Sequence, residues 1–352
     1  MSRLRAEHHD PITDSTPLGN VSRIRCRGRL DTVPPIANMP TETCRRRVRN
    51  GNTAVGRCRT RVTALDILRR FVMHESRPVL VGIDGSTAAL DAVRWAVRVA
   101  VDRGAPLVLT SAVSASAFAD VDDTTSDAVQ RILDDATSVA RDAAGDRPLT
   151  VSSESHHGTP AGVLVERSAD ASLIVVGTRG LGEFTGGLSG SVSTAVATHA
   201  DCAVTVVPTT TSNTSGPVVV GVDGTDNSVP AVRFAYDIAS SRGVGLVAVH
   251  AWSDVDIPGE HHDAWTHTSA NESAALAETL AGWADDYPDV EVQRVVVQDR
   301  PVRELVSRAA DASLVVVGRR GRGGFRSLLL GSTSRALLHS VDVPVTVVPS
   351  PS

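Results

Sequence analysis

The sequence contains no lysine, and it contains 35 arginines. Chemistry that depends on a lysine amine, such as Schiff-base catalysis or phosphate binding by the lysine of a P-loop, is therefore excluded. Aromatic residues make up only 3% of the chain, so few side chains are suited to stacking on nucleic-acid bases. We therefore do not expect nucleic acid as a partner.

Cysteines and long apolar runs are also scarce. The four cysteines have neither C-x-x-C spacing nor clustering, which indicates incidental reduced thiols rather than a disulfide framework or a zinc site. No segment approaches the roughly 18 consecutive apolar residues of a membrane-spanning helix, and the N-terminus lacks the apolar segment of a signal peptide. We expect a cytoplasmic protein without a membrane partner.

Residues 1–72 differ in composition from the rest of the chain. They carry fifteen arginines against six acidic residues, with scattered proline, glycine and threonine. This composition predicts a disordered N-terminal extension, which we place at residues 1–76. A basic arm that contacts an anionic surface or nucleic acid is the alternative. A translation start at Met73, directly before the first predicted strand, is a further hypothesis.

The rest of the chain contains one glycine pattern twice. Each copy follows a continuous apolar run and reads G-x-x-G, nine residues, G-S, and the copies begin at Gly177 and Gly318. The apolar runs predict buried strands of a parallel sheet. The closing Gly-Ser comes directly before a helical pattern, so backbone N–H groups and a hydroxyl would be free at a helix N-terminus. Such an arrangement is suited to binding a phosphate group.

A second shared feature lies upstream of each glycine pattern, where another apolar run ends in Asp84 or Asp223. Five strands alternating with four helices in each repeat predict an α/β fold of two tandem doubly wound parallel five-stranded sheets, with strand order 3-2-1-4-5. Strands one and four are neighbours in this order, so the aspartate and the glycine loop of each repeat would face one crevice. The first domain is predicted at 77–208, a polar linker at 209–216 and the second domain at 217–350.

Three details of this architecture are open to direct comparison with a structure. The last strands of the two repeats, 204–207 and 345–348, would be exposed sheet edges, and we expect them to pair with each other. In the second repeat the periodicity predicts one helix from Ser269 to Asp286. A helix N-cap is the alternative role of Asp84 and Asp223, because Asp-Gly-Ser before a helix is also capping chemistry.

The glycine pattern is not a P-loop, because G-K-[ST] is missing, and it is not the dinucleotide fingerprint, because it follows strand four and contains no G-x-G-x-x-G. Together with the segments Val-Gly-Ile-Asp84-Gly-Ser and Val-Gly-Val-Asp223-Gly-Thr, it resembles the universal stress protein family, in its tandem-domain, ATP-binding type, over residues 78–349. The resemblance implies an adenine nucleotide alpha-hydrolase-like, Rossmann-like fold, ATP as the ligand of both domains and a role in the stress response.

The resemblance also implies which groups bind the nucleotide. The glycines and hydroxyl residues would hold the phosphates and ribose, and the aspartate and the backbone at the end of strand two would hold the adenosine end. The implied binding residues are Asp84, Ala112 (backbone), Gly177, Gly180, Gly190, Ser191, Val192 (backbone) and Ser193 in the first repeat, and Asp223, Ala251 (backbone), Gly318, Gly321, Gly331, Ser332, Thr333 (backbone) and Ser334 in the second.

The two repeats differ from the family pattern and from each other at a few positions. Thr333 stands where the family usually has valine, and Ala203 replaces a proline; neither change touches the glycines. The second loop carries Arg319, Arg320 and Arg322, which offer phosphates more positive charge than the first loop does. We therefore expect tighter nucleotide binding in the second domain.

Other candidate ligand groups are interpreted as solvated side chains. The pairs His156–His157 and His261–His262 fall in predicted loops, and adjacent side chains of an extended segment point apart. The acidic stretches 120–123 and 254–263 are interpreted as loop edges rather than as a magnesium site. No metal site of the protein itself is expected, and Mg²⁺ would arrive only with the nucleotide.

These features favour a nucleotide-dependent binding module over an enzyme. No paired carboxylates and no general base accompany the glycine pattern, so no catalytic residue is predicted. The alternatives are a slow ATPase or nucleotide-dependent transferase, a protein that binds cyclic AMP, and an interaction scaffold whose nucleotide is structural. We expect the two domains to form an internal pseudo-dimer and two chains to form a homodimer; the sequence does not specify a protein partner.

Overall fold

The computed structural model describes residues 77–113, 123–178, 190–209, 215–252, 262–321 and 329–350, and the predicted N-terminal extension lies outside them. The strands are β1 (Val79–Ile83), β2 (Leu107–Val113), β3 (Val151–His157), β4 (Leu173–Gly177), β5 (Ala203–Val207), β6 (Val218–Gly221), β7 (Leu246–Trp252), β8 (Val292–Gln298), β9 (Leu314–Gly318) and β10 (Val345–Val348).

Helices alternate with these strands in the part of the chain that the structure describes. They are α1 (Thr87–Arg103), α2 (Asp123–Ala144), α3 (Pro160–Arg167), α4 (Ser191–His199), α5 (Val229–Arg242), α6 (His262–Thr279), α7 (Trp283–Asp286), α8 (Pro301–Ala309) and α9 (Ser332–Ser340). A search of the same residues found no helix with both the length and the apolar character needed to cross a membrane.

The ten strands form one sheet in the order β3-β2-β1-β4-β5-β10-β9-β6-β7-β8. Within each repeat the strands are parallel and follow the order 3-2-1-4-5, which confirms the predicted fold class. Strand β1 lies between β2 and β4, where Val79 pairs with Leu107 on one side and with Leu173 on the other. Strand β6 lies in the same way between β7 and β9. The carboxyl ends of strands one and four are therefore neighbours in both repeats.

Strands β5 and β10 join the two five-stranded sheets into one. They are antiparallel, with Val345 opposite Val206 and Val347 opposite Val204. At the centre of the pairing, the hydroxyls of Thr205 and Thr346 are 2.8 Å apart and fully buried. The expectation that these two edge strands pair with each other is confirmed. The pairing satisfies backbone groups that an open sheet edge would expose.

Helices α1 and α5 carry reciprocal contacts between the repeats. The guanidinium carbon of Arg103 lies 4.9 Å from the centre of the Phe234 ring, and that of Arg242 lies 5.2 Å from the centre of the Trp95 ring. Each contact therefore joins the end of one helix to an aromatic ring of the other. Burial lowers the pKa of Arg242 to about 10, and the negative face of an aromatic ring stabilises a guanidinium in such a position.

Apolar side chains cover both faces of the sheet, as buried parallel strands require. Leu80 and Val81 are neighbours in β1 but belong to two different core clusters, because successive side chains of a strand point to opposite faces. Val81 shares its cluster with Tyr236, and Leu80 shares the other with Leu337. Each cluster thus contains residues of both repeats, so the core continues through the β5–β10 junction.

The prediction of one helix from Ser269 to Asp286 is wrong. Helix α6 ends at Thr279, and the single-turn helix α7 begins at Trp283. Between them, Gly282 has a φ of 87°, a left-handed conformation that ends a helix and that glycine adopts without a steric penalty. Apolar periodicity continues across this break, which is why the sequence pattern did not reveal it.

The loop prediction for the first histidine pair is also wrong. His156 and His157 are the last residues of β3, at the edge of the sheet. The imidazole Nε2 of His156 lies 3.2 Å from Oε1 of Glu154, which also accepts a hydrogen bond from Thr110. The run Ser-Ser-Glu-Ser-His-His lacks the apolar alternation of a half-buried strand. In the second pair, His262 begins α6 and His261 lies outside the described residues.

Candidate functional site

The turn after the first strand of each repeat is fixed by its aspartate. Oδ1 of Asp84 accepts hydrogen bonds from the backbone N–H and the hydroxyl of Ser86, at 3.0 and 2.6 Å. Oδ1 of Asp223 accepts the same two bonds from Thr225, at 2.9 and 2.7 Å. The glycine after each aspartate has a φ of 83° or 75°, which a residue with a Cβ adopts only with strain. This turn geometry accounts for the Asp-Gly-Ser/Thr sequence in both repeats.

Neither aspartate caps a helix, so the N-cap alternative is wrong. The N-cap of α1 is Ser86, whose hydroxyl oxygen accepts a hydrogen bond from Ala89 N at 3.2 Å. In the second repeat a 3₁₀ turn, Asp226–Ser228, precedes α5, and Thr225 is its N-cap. The carboxylates shape the turn instead.

The second carboxylate oxygen of Asp223 faces the glycine loop. Oδ2 is buried and has no hydrogen-bond partner among the described residues. A Cβ placed on Gly321 would lie 3.1 Å from this oxygen, so the aspartate after strand one is adjacent to the second glycine of the pattern. Burying a carboxylate oxygen without a donor is costly. The geometry therefore indicates a position for a ligand donor. The equivalent glycine of the first repeat, Gly180, lies outside the described residues.

The first glycine of each pattern lets the fourth strand approach the start of the helical segment that follows the first strand. At Gly177 a Cβ would lie 2.8 Å from the backbone carbonyl of Ala88, and at Gly318 it would lie 3.1 Å from the carbonyl oxygen of Asn227. The contact at Gly177 is too close for any side chain, because the neighbouring atoms belong to the backbone. These glycines therefore set the width of the crevice.

The closing glycines, Gly190 and Gly331, are the N-caps of α4 and α9, and no side chain caps either helix. Their own N–H groups donate into the loop, from Gly190 to Thr178 O at 2.7 Å and from Gly331 to Arg319 O at 2.8 Å. Each loop thus closes on itself. The N-cap glycine of each helix has no side chain that could accept from the first amides, and the helix dipole favours an anion at that end.

The serines at the third helical positions hold the loop. Ser193 donates its hydroxyl hydrogen to Gly190 O at 2.9 Å, and Ser334 donates to Gly318 O at 2.7 Å. Both serines are buried. The first residue of each helix, Ser191 or Ser332, is exposed. Its hydroxyl is therefore the one that lies at the solvent side of the helix end.

Four of the predicted binding positions would contribute through their backbone groups. Val192 and Thr333 are the second residues of α4 and α9, at the uncapped helix ends. The pairing of β1 with β2 reaches the residue before Ala112, which places Ala112 level with the start of the aspartate turn. Ala251 has the corresponding place near the end of β7. Strand order therefore brings these backbone groups to the same end of the sheet as the aspartates and glycine loops.

Sequence patterns did not identify His250, whose imidazole contacts the backbone between β6 and Asp223. Its Nδ1 is 2.7 Å from the carbonyl oxygen of Val222, the residue before Asp223, and its Nε2 is 2.6 Å from Oε2 of Glu272 in α6. A carbonyl oxygen only accepts a hydrogen bond, so Nδ1 of His250 donates to it. The contact with Glu272 requires a proton between Nε2 and Oε2, carried by one of the two groups. The first repeat has Ser111 at this position. The signal in the sequence is a histidine inside the otherwise apolar run of β7.

Arg319, in the second glycine loop, contacts the first repeat. Its Nη1 donates to Ala200 O at 2.7 Å and to Thr198 O at 3.4 Å, at the C-terminus of α4. Burial lowers the pKa of this guanidinium. One of the three arginines expected to add charge to the second phosphate site is therefore engaged elsewhere, and Arg322 lies outside the described residues.

Across the described ranges, no group of three or more histidine, cysteine, aspartate or glutamate side chains is placed to hold a metal ion. Of the acidic stretches, residues 120–122 and 254–261 lie outside those ranges.

Comparison with known proteins gives consistent results for both repeats. Residues 75–208 and 215–349 match the Universal stress protein family. A universal stress protein of Mycobacterium tuberculosis is 42% identical over 289 residues, covering 78% of this chain and 97% of the relative. Another, from Mycolicibacterium smegmatis, is 38% identical over 283 residues, covering 77% and 96%. The crystal structure of a universal stress protein from Archaeoglobus fulgidus has a TM-score of 0.59 at 20% identity, covering 78% and 98%.

Doubly wound repeats with an aspartate turn and a glycine loop at the switch point define a class of tandem α/β proteins with ligand crevices at the carboxyl ends of their strands. Within that class, the family matches in both repeats and the 42% identity show that the chain belongs to the universal stress protein family. The resemblance drawn from the sequence motifs is thereby confirmed.

Proposed function

We propose that each repeat binds one adenine nucleotide, ATP, and that the protein acts as a nucleotide-dependent binding module in the stress response. The observation that carries this proposal is the buried Oδ2 of Asp223, which lacks a partner among the described residues and lies beside Gly321. The same loop leads to the uncapped N-terminus of α9. A ligand with a hydrogen-bond donor at one end and an anion at the other fits this arrangement.

An adenine nucleotide has these two ends. The ribose hydroxyls and the adenine amino group donate hydrogen bonds, so Asp223 would hold the adenosine end. The phosphates accept hydrogen bonds, so the backbone N–H groups of Ser332–Ser334 would hold the other end. Asp84 and Ser191–Ser193 would have the same roles in the first repeat. Mg²⁺ would enter with the phosphates and requires no separate protein site.

Binding is favoured over catalysis because polar groups around the crevice already hold its shape. Ser193 and Ser334 donate to loop carbonyls, and Oδ1 of Asp223 accepts from Thr225. A slow ATPase or nucleotide-dependent transferase would need a further general base. Cyclic AMP is the alternative ligand, since it keeps the adenine amino group and the ribose 2′-hydroxyl as donors and carries a single phosphate.

We also propose that the two repeats act as an internal pseudo-dimer. The antiparallel pairing of β5 with β10 and the reciprocal contacts of Arg103 and Arg242 support it. Association of two chains into a homodimer, a cytoplasmic location, and the limits 77–208 and 217–350 for the two domains are retained as further proposals.

Removing the charge of Asp223 tests the proposed role of this residue directly. The measurement is calorimetric titration of the full chain with ATP. Asp223→Asn keeps the shape of the side chain but removes the acceptor charge, so we expect affinity at the second site to fall about tenfold or more. Asp226→Asn is the matched control, because Asp226 is an exposed carboxylate three residues away, and it should leave the affinity unchanged. Equal affinity in Asp223→Asn and the unchanged chain would contradict the proposed role.

Mass spectrometry of the small molecules that copurify with the native protein identifies the ligand. ATP supports the proposal, and cyclic AMP would replace it with the alternative. Sustained hydrolysis of ATP well beyond one equivalent per site would instead indicate an enzyme.

A further inference from the structure

The backbone of Arg319 closes the second glycine loop. Its N–H donates to Val348 O at 2.7 Å, and its carbonyl oxygen accepts from Gly331 N at 2.8 Å. Gly331 is the N-cap of α9, where the phosphates of the second nucleotide would bind. The position of Arg319 is therefore tied to the shape of the second site.

The side chain of Arg319 reaches the opposite repeat. Its Nη1 bonds to Ala200 O and Thr198 O place a cation against the last carbonyls of α4. A cation at this end stabilises a helix, because it balances the partial negative charge of carbonyls that have no partner within the helix. Helix α4 has nine residues, so its other end, the phosphate end of the first site, lies about 13 Å away along a single rigid helix.

Among the residues of the first repeat that the structure describes, no counterpart of this link is present. Thr178 occupies the equivalent position, and its backbone makes the same two bonds, from its N–H to Val207 O and from Gly190 N to its carbonyl oxygen. The short threonine side chain cannot bridge to the other repeat as the arginine does. Within the described ranges, the connection therefore runs from the second loop to the helix of the first site.

We propose that Arg319 couples the two nucleotide sites. Nucleotide binding at the second site acts on α4 through Arg319, whose side chain contacts the carbonyls of Ala200 and Thr198, and so changes the affinity of the first site. Arg319 is a positioning residue in this account and does not touch the first nucleotide. Coupling of binding free energies is reciprocal, so occupation of the first site changes the affinity of the second by the same factor. The inference rests on the proposed function of both sites.

Calorimetric titration of the full chain with ATP tests the coupling. Gly190→Asp and Gly331→Asp each block one site and give the affinity of the other site alone. If the sites were independent, the unmodified chain would bind ATP as the sum of these two variants. We expect at least one binding constant of the unmodified chain to deviate by about fivefold or more from the value measured in the corresponding single-site variant. In the Arg319→Thr background, which carries the residue of the first repeat, the three titrations should become additive.

Arg303→Thr is the matched control, because Arg303 is an exposed arginine of the second repeat that lies in α8, outside the glycine loop, and it should preserve the deviation. Additive binding in the unmodified chain would overturn the coupling while leaving the proposed function intact. A deviation that survives Arg319→Thr would overturn the assignment to this residue. Absence of ATP binding in every chain would overturn the proposed function itself and the coupling with it.

A second pair of variants covers the case in which Arg319→Thr does not fold. Arg319→Lys keeps a cation that reaches the carbonyls of α4, and Arg319→Met keeps the length of the side chain without the charge. We expect the lysine variant to retain part of the deviation and the methionine variant to lose it. Equal deviations in the two variants would contradict the proposal, whatever their melting temperatures.

Discussion

The two repeats share one backbone architecture and differ in the side chains whose contacts hold their candidate sites in place. Both have an aspartate turn after strand one and a glycine N-cap after the loop. The second repeat adds the buried His250, which ties its strand end to α6, and Arg319, which ties its loop to α4. The first repeat has Ser111 and Thr178 at these places. Two candidate sites of the same architecture are therefore in contact with different parts of the molecule.

The largest expected difference concerns the first glycine of each pattern. In Gly177→Ala the new Cβ would lie 2.8 Å from backbone atoms of Ala88, whereas in Gly318→Ala it would lie 3.1 Å from Asn227 O. We expect the free energy of unfolding to fall by about 3 kcal/mol for Gly177→Ala and by about 1 kcal/mol for Gly318→Ala. Denaturant unfolding of the full chain without nucleotide measures both. Equal losses of unfolding free energy would mean that backbone atoms pack equally closely around the first glycine in both repeats.

A smaller effect is expected from giving the second repeat the residue of the first. His250→Ser removes the donor to Val222 O and leaves Glu272 without its imidazole partner. We expect a loss of about 2 kcal/mol in the free energy of unfolding, together with weaker ATP binding at the second site alone. His199→Ser, at an exposed histidine, serves as the control. If His250→Ser weakens the first site as much as the second, His250 supports the whole fold rather than one site.

Much of the fold could be predicted from local pattern. Continuous apolar runs identify the parallel strands, and their alternation with helices gives the strand order that brings Asp223 next to Gly321. The pairing of β5 with β10 followed from the need to cover two exposed edges. By contrast, the polar extension of β3 to His157 carries no apolar signal, and apolar periodicity continues across the helix break at Gly282, so both were missed.

The side-chain contacts that hold the candidate sites in place could not be predicted, because they join distant parts of the chain. His250 reaches a glutamate on the following helix, and Arg319 reaches carbonyls of the other repeat, 119 residues earlier. Local periodicity contains no information about either contact. The sequence suggested that Arg319 serves the phosphates of its own loop, whereas its side chain is held by α4.

The central claim is that each repeat provides one nucleotide site, and the closing glycines test it most directly. Gly190 and Gly331 have φ values of −70° and −65°, which any residue adopts. The backbone conformation therefore allows an aspartate at either N-cap, with a small shift of the loop because its Cβ would lie 3.1 Å from Thr178 O or 3.3 Å from Arg319 O. Its carboxylate would then lie at the helix amides that the phosphate needs. Alanine adds the same Cβ without the charge and is the control.

The measurement is the number of ATP molecules bound per chain, by calorimetry, in these variants. We expect two for the unmodified chain and for each alanine variant, and one for Gly190→Asp and for Gly331→Asp. Tighter residual binding is expected in Gly190→Asp, which keeps the second site, and equal residual affinities would count against that difference between the repeats. Two bound ATP molecules in both aspartate variants, or none in the unmodified chain, would contradict the account.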